Sequence, residues 1–318
     1  MQFKIRDLPS SPIKLWFNKA GINSATYFCA ALSSVFPIIN IFLRGVMEVE
    51  LLMFVATLCM AGAIAGITAG LFGNGGGFVV VPALLAVFPF FTESSGELIK
   101  VAIGTSLASI VVSSARSVQA HKKRGAVDFL VLKDWSIWLV IGVIIGLFIA
   151  SQTSSQSLII VFATGVLFYS IYFLFPKLFA GTSNTLSMPK GLFKAGLASF
   201  LGGFSALLGI GGGTITVMTM MICNRTVHQA VATAAGVGFI IGLPGAIGFL
   251  LMGHNVSNLP YGTIGYINMP ALLAISAGSI LTAPLGAKWA HSLDEVNLKR
   301  IFGFYLIAVS ISMFYKAF

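Results

Sequence analysis

Charge is scarce in this chain. Asp, Glu, Lys and Arg together make up 9% of its 318 residues, against roughly 25% in ordinary soluble domains. Hydrophobic residues make up 57%, more apolar surface than a soluble fold of this size could hide. Acidic residues are the scarcer charge, 9 against 19 Lys and Arg. Glu48, Glu50, Glu93, Glu97, Asp128, Asp134, Asp294 and Glu295 all fall at the ends of apolar segments or between them. With no carboxylate in the middle of a span, proton or sodium coupling of the usual kind lacks its parts, and a cation substrate is disfavoured. Backbone carbonyls could still hold sodium. Cysteine is nearly absent: Cys29, Cys59 and Cys223 stand singly in apolar segments. That excludes a CxxC zinc site and a disulfide framework and leaves three packing residues. No nucleophile–base pair and no His/Glu ligand spacing exists, so neither an enzyme, a metal site nor a cofactor is indicated. His121, His254 and His291 are single loop histidines. The net charge of +10 comes without any basic, aromatic-interleaved soluble stretch, so nucleic acid is excluded as a partner.

What remains is a succession of apolar runs near the roughly 20 residues that cross a bilayer, hence an all-α polytopic membrane protein. Residues 1–20 carry charge and no apolar core, unlike a cleaved signal peptide. Residues 11–20 suit the inner membrane surface, with Trp16 and Phe17 toward lipid. The apolar segments are 24–43, 51–72, 78–91, 99–116, 135–151, 157–176, 192–208, 214–224, 227–251, 266–287 and 300–318. With the N-terminus inside and every segment changing side, only Arg44, Lys100 and Lys316 of the 19 basic residues fall outside. This is a strong positive-inside bias. It implies the cytoplasmic membrane, with the N-terminus in the cytoplasm.

Two segments are too short. At about 1.5 Å per residue, 78–91 reaches roughly 21 Å and 214–224 less, against a hydrocarbon core of about 30 Å. Each follows a glycine cluster, "GNGGGF" (73–78) or "GIGGGT" (209–214). "AIGTSLAS" (102–109) then aligns loosely with "AVATAAGV" (230–237), and Gly125 with Gly253. The organisation is therefore an N-terminal interfacial segment and first span (1–48), a first repeat (49–180) and a second (190–318). An odd number of segments per repeat turns the second copy upside down. Interrupted helices in inverted repeats point to a binding site at the midplane.

Glycine admits positive φ and close approach of a ligand to the backbone. The first N–H groups of a helix lack internal partners and carry the positive end of its dipole, a ready anion site. Gly75, Gly76 and Gly77, with Gly211, Gly212 and Gly213, would supply such amides. Gly73 and Gly209 would open the turns, and Asn74 and Thr214 would add side-chain donors. Thr105, Ser106 and Thr233 read as polar lining, although hydroxyls also satisfy their own helix. Lys100 and His228 hold matching places in the two repeats. They would either draw an anion toward opposite mouths of the pathway or snorkel to water. The GxxxG pairs Gly62/Gly66 and Gly142/Gly146 read as helix-packing positions. No Gly-Lys-Ser/Thr follows either cluster, which removes a nucleotide loop.

The duplicated turns, the proline in "GNGGGFVVVP", the "AIGTS" run and "LKRIFGFYLI" (298–307) resemble the TauE/SafE sulfite-exporter family over residues 50–318. The resemblance maps that family's motif onto Gly73, Gly75–Gly77, Pro82, Thr105 and Ser106, and in the second repeat onto Gly209 and Gly211–Gly213. Met218 stands where a second proline would, and "AVATAA" has alanine where serine is expected. The likeness implies a secondary transporter, an exporter of sulfite, sulfonates or related small organic anions. An anion channel using the same turns as its filter, or a non-transporting scaffold, are the alternatives. The expected partners are a small anion and the lipid bilayer. The sequence does not fix the oligomeric state.

Overall fold

In a computed structural model the described residues are 52–90, 96–175, 188–290 and 295–317. The expected interfacial segment and first span (24–43) lie outside them. The rest is helical: α1 Leu52–Phe72, α2 Gly77–Val87, α3 Leu98–Lys122, α4 Phe129–Gln152, α5 Ser155–Leu174, α6 Gly191–Leu208, α7 Gly213–Ile222, α8 Val227–Met252, α9 Met269–Trp289 and α10 Glu295–Ala317. Among the described residues eight of these helices are long and apolar enough to cross a membrane, and α2 and α7 are the short ones. The protein is an all-α, multi-pass membrane protein. Ile137, Ile144 and Phe148 on α4 and Ile301 and Phe304 on α10 remain exposed, as side chains facing lipid would be.

Helix ends follow local chemistry. Asp128, Ser154, Thr226 and Asn268 each cap the first turn of the helix they precede with a side-chain oxygen. At the end of α6 the Gly209 N–H bonds Ala206 O and the Ile210 N–H bonds Ser205 O. With Gly209 left-handed at φ 64°, this is a Schellman closure.

Helix packing depends on small residues. A Cβ on Gly62, Gly66 or Gly70 would overlap α9 backbone at Ile275, Ser279 and Ala283 respectively. One on Gly142, Gly146 or Gly202 would overlap the α4–α6 contact. Both GxxxG pairs are thus close-packing positions. The pairing pattern repeats when the two halves are exchanged. α1 packs on α9 as α6 packs on α4, α3 meets α9 as α8 meets α4, and α3 crosses α8 as α5 crosses α10. α3 lies at the centre, its most apolar window 78% buried. An aromatic cluster of Phe72, Phe78, Tyr169, Phe173 and Phe302 ties α1 and α2 to α5 and α10, with Phe72 and Phe302 stacked at 4.9 Å.

Several element boundaries differ from the sequence expectation. α4 begins at Phe129 instead of 135, and α10 at Glu295 instead of 300. α3 runs on to Lys122, because "SVQAHK" is polar yet has no helix breaker. The segment expected from 266 begins as a helix only at Met269. Before it, Thr263–Ile264 and Ile267–Asn268 form a two-stranded hairpin, turned by Gly265 at φ 58°.

Candidate functional site

The two glycine turns touch each other in the interior. A Cβ on Gly77 would overlap Gly209 O, and one on Gly213 would overlap Gly73 O. Gly211 packs against the Asn74 carbonyl, 3.1 Å from where its own Cβ would stand. Residues 73–77 and 209–213 are all buried. The turns agree at two positions and differ at a third: Gly73 and Gly209 are left-handed at φ 66° and 64°, and so are Gly76 and Gly212 at 83° and 66°, whereas Gly75 is left-handed at 71° and its counterpart Gly211 is not. Only glycine holds such angles without strain. Gly76 and Gly212 are the N-caps of α2 and α7, and as glycines neither has a side chain to cap the first turn of its helix. Two helix N-termini, whose first amides lack partners within the helix and which carry its positive dipole end, are thereby brought to one buried locus.

Serines of α3 hold the turns. Ser106 Oγ donates to Gly209 O at 2.8 Å, and Ser113 Oγ donates to Gly75 O at 2.9 Å. They sit seven residues apart, two helical turns along one face. Ser117 Oγ reaches Ala69 O at 3.5 Å, and the Asn74 side-chain oxygen accepts from the Gly76 N–H at 3.1 Å. With Gly75 O and Gly209 O already accepting from serines, the turns offer a cation less than their carbonyls alone suggest. Four buried polar atoms here have no hydrogen-bond partner: Asn74 Nδ2, Ser114 Oγ, Ser205 Oγ and Thr214 Oγ1.

Of the residues expected at the turns the structure brings together the glycines, Asn74, Thr214 and Ser106, and it adds Ser113, Ser114, Ser117 and Ser205, which the sequence reading did not name. A signal existed: serines at 106, 109, 113 and 117 follow the 3-4-4 spacing of one helix face. Thr105 and Thr233 serve elsewhere. Thr105 Oγ1 accepts from the N–H of Asn268, the cap of α9, at 2.9 Å. Thr233 Oγ1 accepts from the N–H of Asp128, the cap of α4, at 3.0 Å. Each threonine fastens the connector before a helix that its own helix packs on.

The matching cations have unlike surroundings. Lys100 is buried, 3.1 Å from Glu97 Oε2 and 5.9 Å from the Tyr266 ring centroid. His228 is exposed in the first turn of α8. The Tyr266 hydroxyl donates to Glu97 Oε2 at 3.0 Å. Burial, then that bond, then the Glu97 charge, push the Tyr266 phenol above its ordinary pKa. At the other end of the bundle Arg225 pairs with Asp128 at 3.3 Å, Arg124 donates to Ala287 O at 2.9 Å and Lys194 pairs with Asp134. Lys122, Lys123 and Lys288 adjoin this end. Lys316, by contrast, is spent on Leu85 O of α2 at 2.6 Å.

The profile of the family described as Sulfite exporter TauE/SafE matches residues 58–313. A "Probable membrane transporter protein" of Haemophilus influenzae is 33% identical over 269 residues, covering 83% of this chain and 99% of that one. Proteins with the same description from Methanocaldococcus jannaschii and Bacillus subtilis are 28% and 26% identical. The matches span 80% and 81% of this chain, and 92% and 97% of theirs. No solved structure matches the chain significantly.

Proposed function

The chain belongs to the sulfite exporter TauE/SafE family of membrane transporters, and from that premise we propose that it carries small sulfur-containing or carboxylate anions by alternating access. The anion would rest at the paired glycine turns, on the amides that open α2 and α7. The observation that carries this reading is the direct contact of the two turns deep in the protein, with a glycine at the N-cap of both helices. Anions are stabilised at such ends. No buried lysine or arginine, costly within a bilayer, is then needed. The matching helix pairings of the two halves support an inverted repeat. The basic residues gathered about the Arg225–Asp128 end support a cytoplasmic N-terminus in the cell inner membrane. Burial of every residue of both turns favours a carrier over an open channel.

The test is counterflow in proteoliposomes. Radiolabelled sulfite uptake is expected to saturate and to be stimulated by unlabelled sulfite or taurine inside. Asn74→Asp keeps the shape of the side chain but sets a negative charge at the opening of α2. It is expected to fold and to lose at least about 100-fold in flux, from like charges at close range. Wild-type flux in the folded variant, or non-saturable conductance, defeats the carrier reading.

A further inference from the structure

Beyond the turns themselves, the geometry points to Ser114 and Ser205 as direct contacts of the transported anion, in a cradle that selects a single negative charge. The inference rests on the anion-carrier reading above. Ser114 is 1% exposed and Ser205 0%, and neither hydroxyl has a partner. Their neighbours on α3, Ser106, Ser109, Ser113 and Ser117, all donate to backbone carbonyls. Ser114 is the exception on a helix whose serines are otherwise satisfied.

Both orphan hydroxyls lie beside the glycine turns, Ser114 also against α8. Ser114 Oγ lies 3.3 Å from the place a Cβ would take on Gly75 and 2.7 Å from that on Gly238. Ser205 Oγ lies 2.9 Å from the corresponding place on Gly212, the N-cap of α7. Ser205 thus stands where Gly212 lacks a side chain at the start of α7, and Ser114 stands between Gly75 of the first turn and Gly238 of α8. Asn74 Nδ2 and Thr214 Oγ1, also buried and partnerless, lie on the turns themselves. A buried polar group without a partner is costly. Four around one locus identify it as a place where donors await an acceptor.

The charge preference follows from the dipoles. The starts of α2 and α7 contribute roughly half a positive charge each, and the ends of α1 and α6 nearby offset part of it. The local positive potential therefore matches at most about one anionic charge. No lysine or arginine lies within either turn to supplement it. Arg116 sits two residues beyond Ser114, on another face of α3, and donates to Gln119. A dianion would leave charge uncompensated in a low-dielectric interior.

The experiment measures the unfolding temperature of purified full-length protein against sodium methanesulfonate, acetate and sulfate at matched ionic strength. Methanesulfonate and acetate are expected to raise it saturably, and sulfate to leave it unmoved. Ser114→Ala and Ser205→Ala should keep or raise the ligand-free value, because each removes an unsatisfied hydroxyl. Each should shift the methanesulfonate response to at least about tenfold higher concentration, the loss of one hydrogen bond to a charged group. Ser276→Ala, which removes another partnerless buried hydroxyl on α9, should leave the response unchanged. A methanesulfonate response intact in both α3 and α6 variants overturns the proposal and leaves the anion reading standing. An equal response to sulfate overturns the charge preference. A wild-type protein insensitive to all three salts removes the anion reading and this proposal together.

Discussion

At the scale of single residues, what a glycine does depends on two separable things, its φ and the space beside it. Gly196 is helical, with nothing within 4 Å of the place a Cβ would take, and Gly125 has equally open space but φ 66°. Gly76 combines φ 83° with the Ala65 carbonyl 2.5 Å from where a Cβ would stand. Gly196→Ala should therefore stabilise, by about 0.5–1 kcal/mol of helix propensity. Gly125→Ala should cost about 1–2 kcal/mol for the left-handed backbone alone. Gly76→Ala should cost that and about 1–3 kcal/mol more for overpacking. Unfolding temperatures in detergent check the order, and a mild Gly76→Ala would mean that the turn can relax. The glycine turns were legible in the sequence because glycine clusters in an apolar segment have few uses. The serines behind them were not, because a serine that bonds its own helix and one that holds a distant carbonyl look alike. Only the periodicity of 106, 109, 113 and 117 separates them, together with the partner that each finds in three dimensions.

At the scale of elements, the connectors are held as firmly as the helices. The hairpin before α9 is fixed by Thr105 on the Asn268 N–H and by Tyr266 on Glu97. The loop before α4 is fixed by Thr233 on the Asp128 N–H and by Arg225 on the Asp128 carboxylate. The first fastening has a pH signature. Because the Tyr266 phenol is raised above its unfolded value of about 10, the folded state holds that proton more tightly. Its contribution is complete below about pH 10 and is lost as pH rises through the raised value. Tyr266→Phe should cost roughly 1 kcal/mol near neutrality and flatten the alkaline decline in unfolding temperature. A variant that declines as steeply as the wild type would show that other groups govern that limb. Apolar length located the described helices, but α3 runs on to Lys122, α4 begins at Phe129 and α10 at Glu295, each beyond the apolar stretch that marked it. It could not see the hairpin, where aromatic Tyr266 and Ile267 extend an apolar run although Gly262, Gly265 and Pro270 forbid a helix there.

At the scale of the whole molecule, the two halves are linked by exchange: α1 on α9 answers α6 on α4, and the threonine at 105 answers that at 233. Polarity does not follow the same exchange. α3 carries Ser113, Ser114 and Ser117 along its buried face, whereas the aligned positions of α8 are Ile241, Gly242 and Gly245. One half supplies hydroxyls and the other close approach, so the proposed site between them would be built once rather than twice. The sequence already departs from symmetry at Met218 and in "AVATAA", and the serines of α3 widen that difference. The proposed inversion places the connectors 123–128 and 253–268 on opposite sides of the bilayer. In a variant with Cys29, Cys59 and Cys223 replaced, Ser257→Cys, exposed in the second connector, should react in intact cells with a membrane-impermeant maleimide. Lys123→Cys, equally exposed in the first, should react only after the membrane is opened. Labelling of both from one side would mean that the repeats run parallel. The two helix starts would then approach the glycine locus from the same face, and alternating access about that locus would lose its geometric basis.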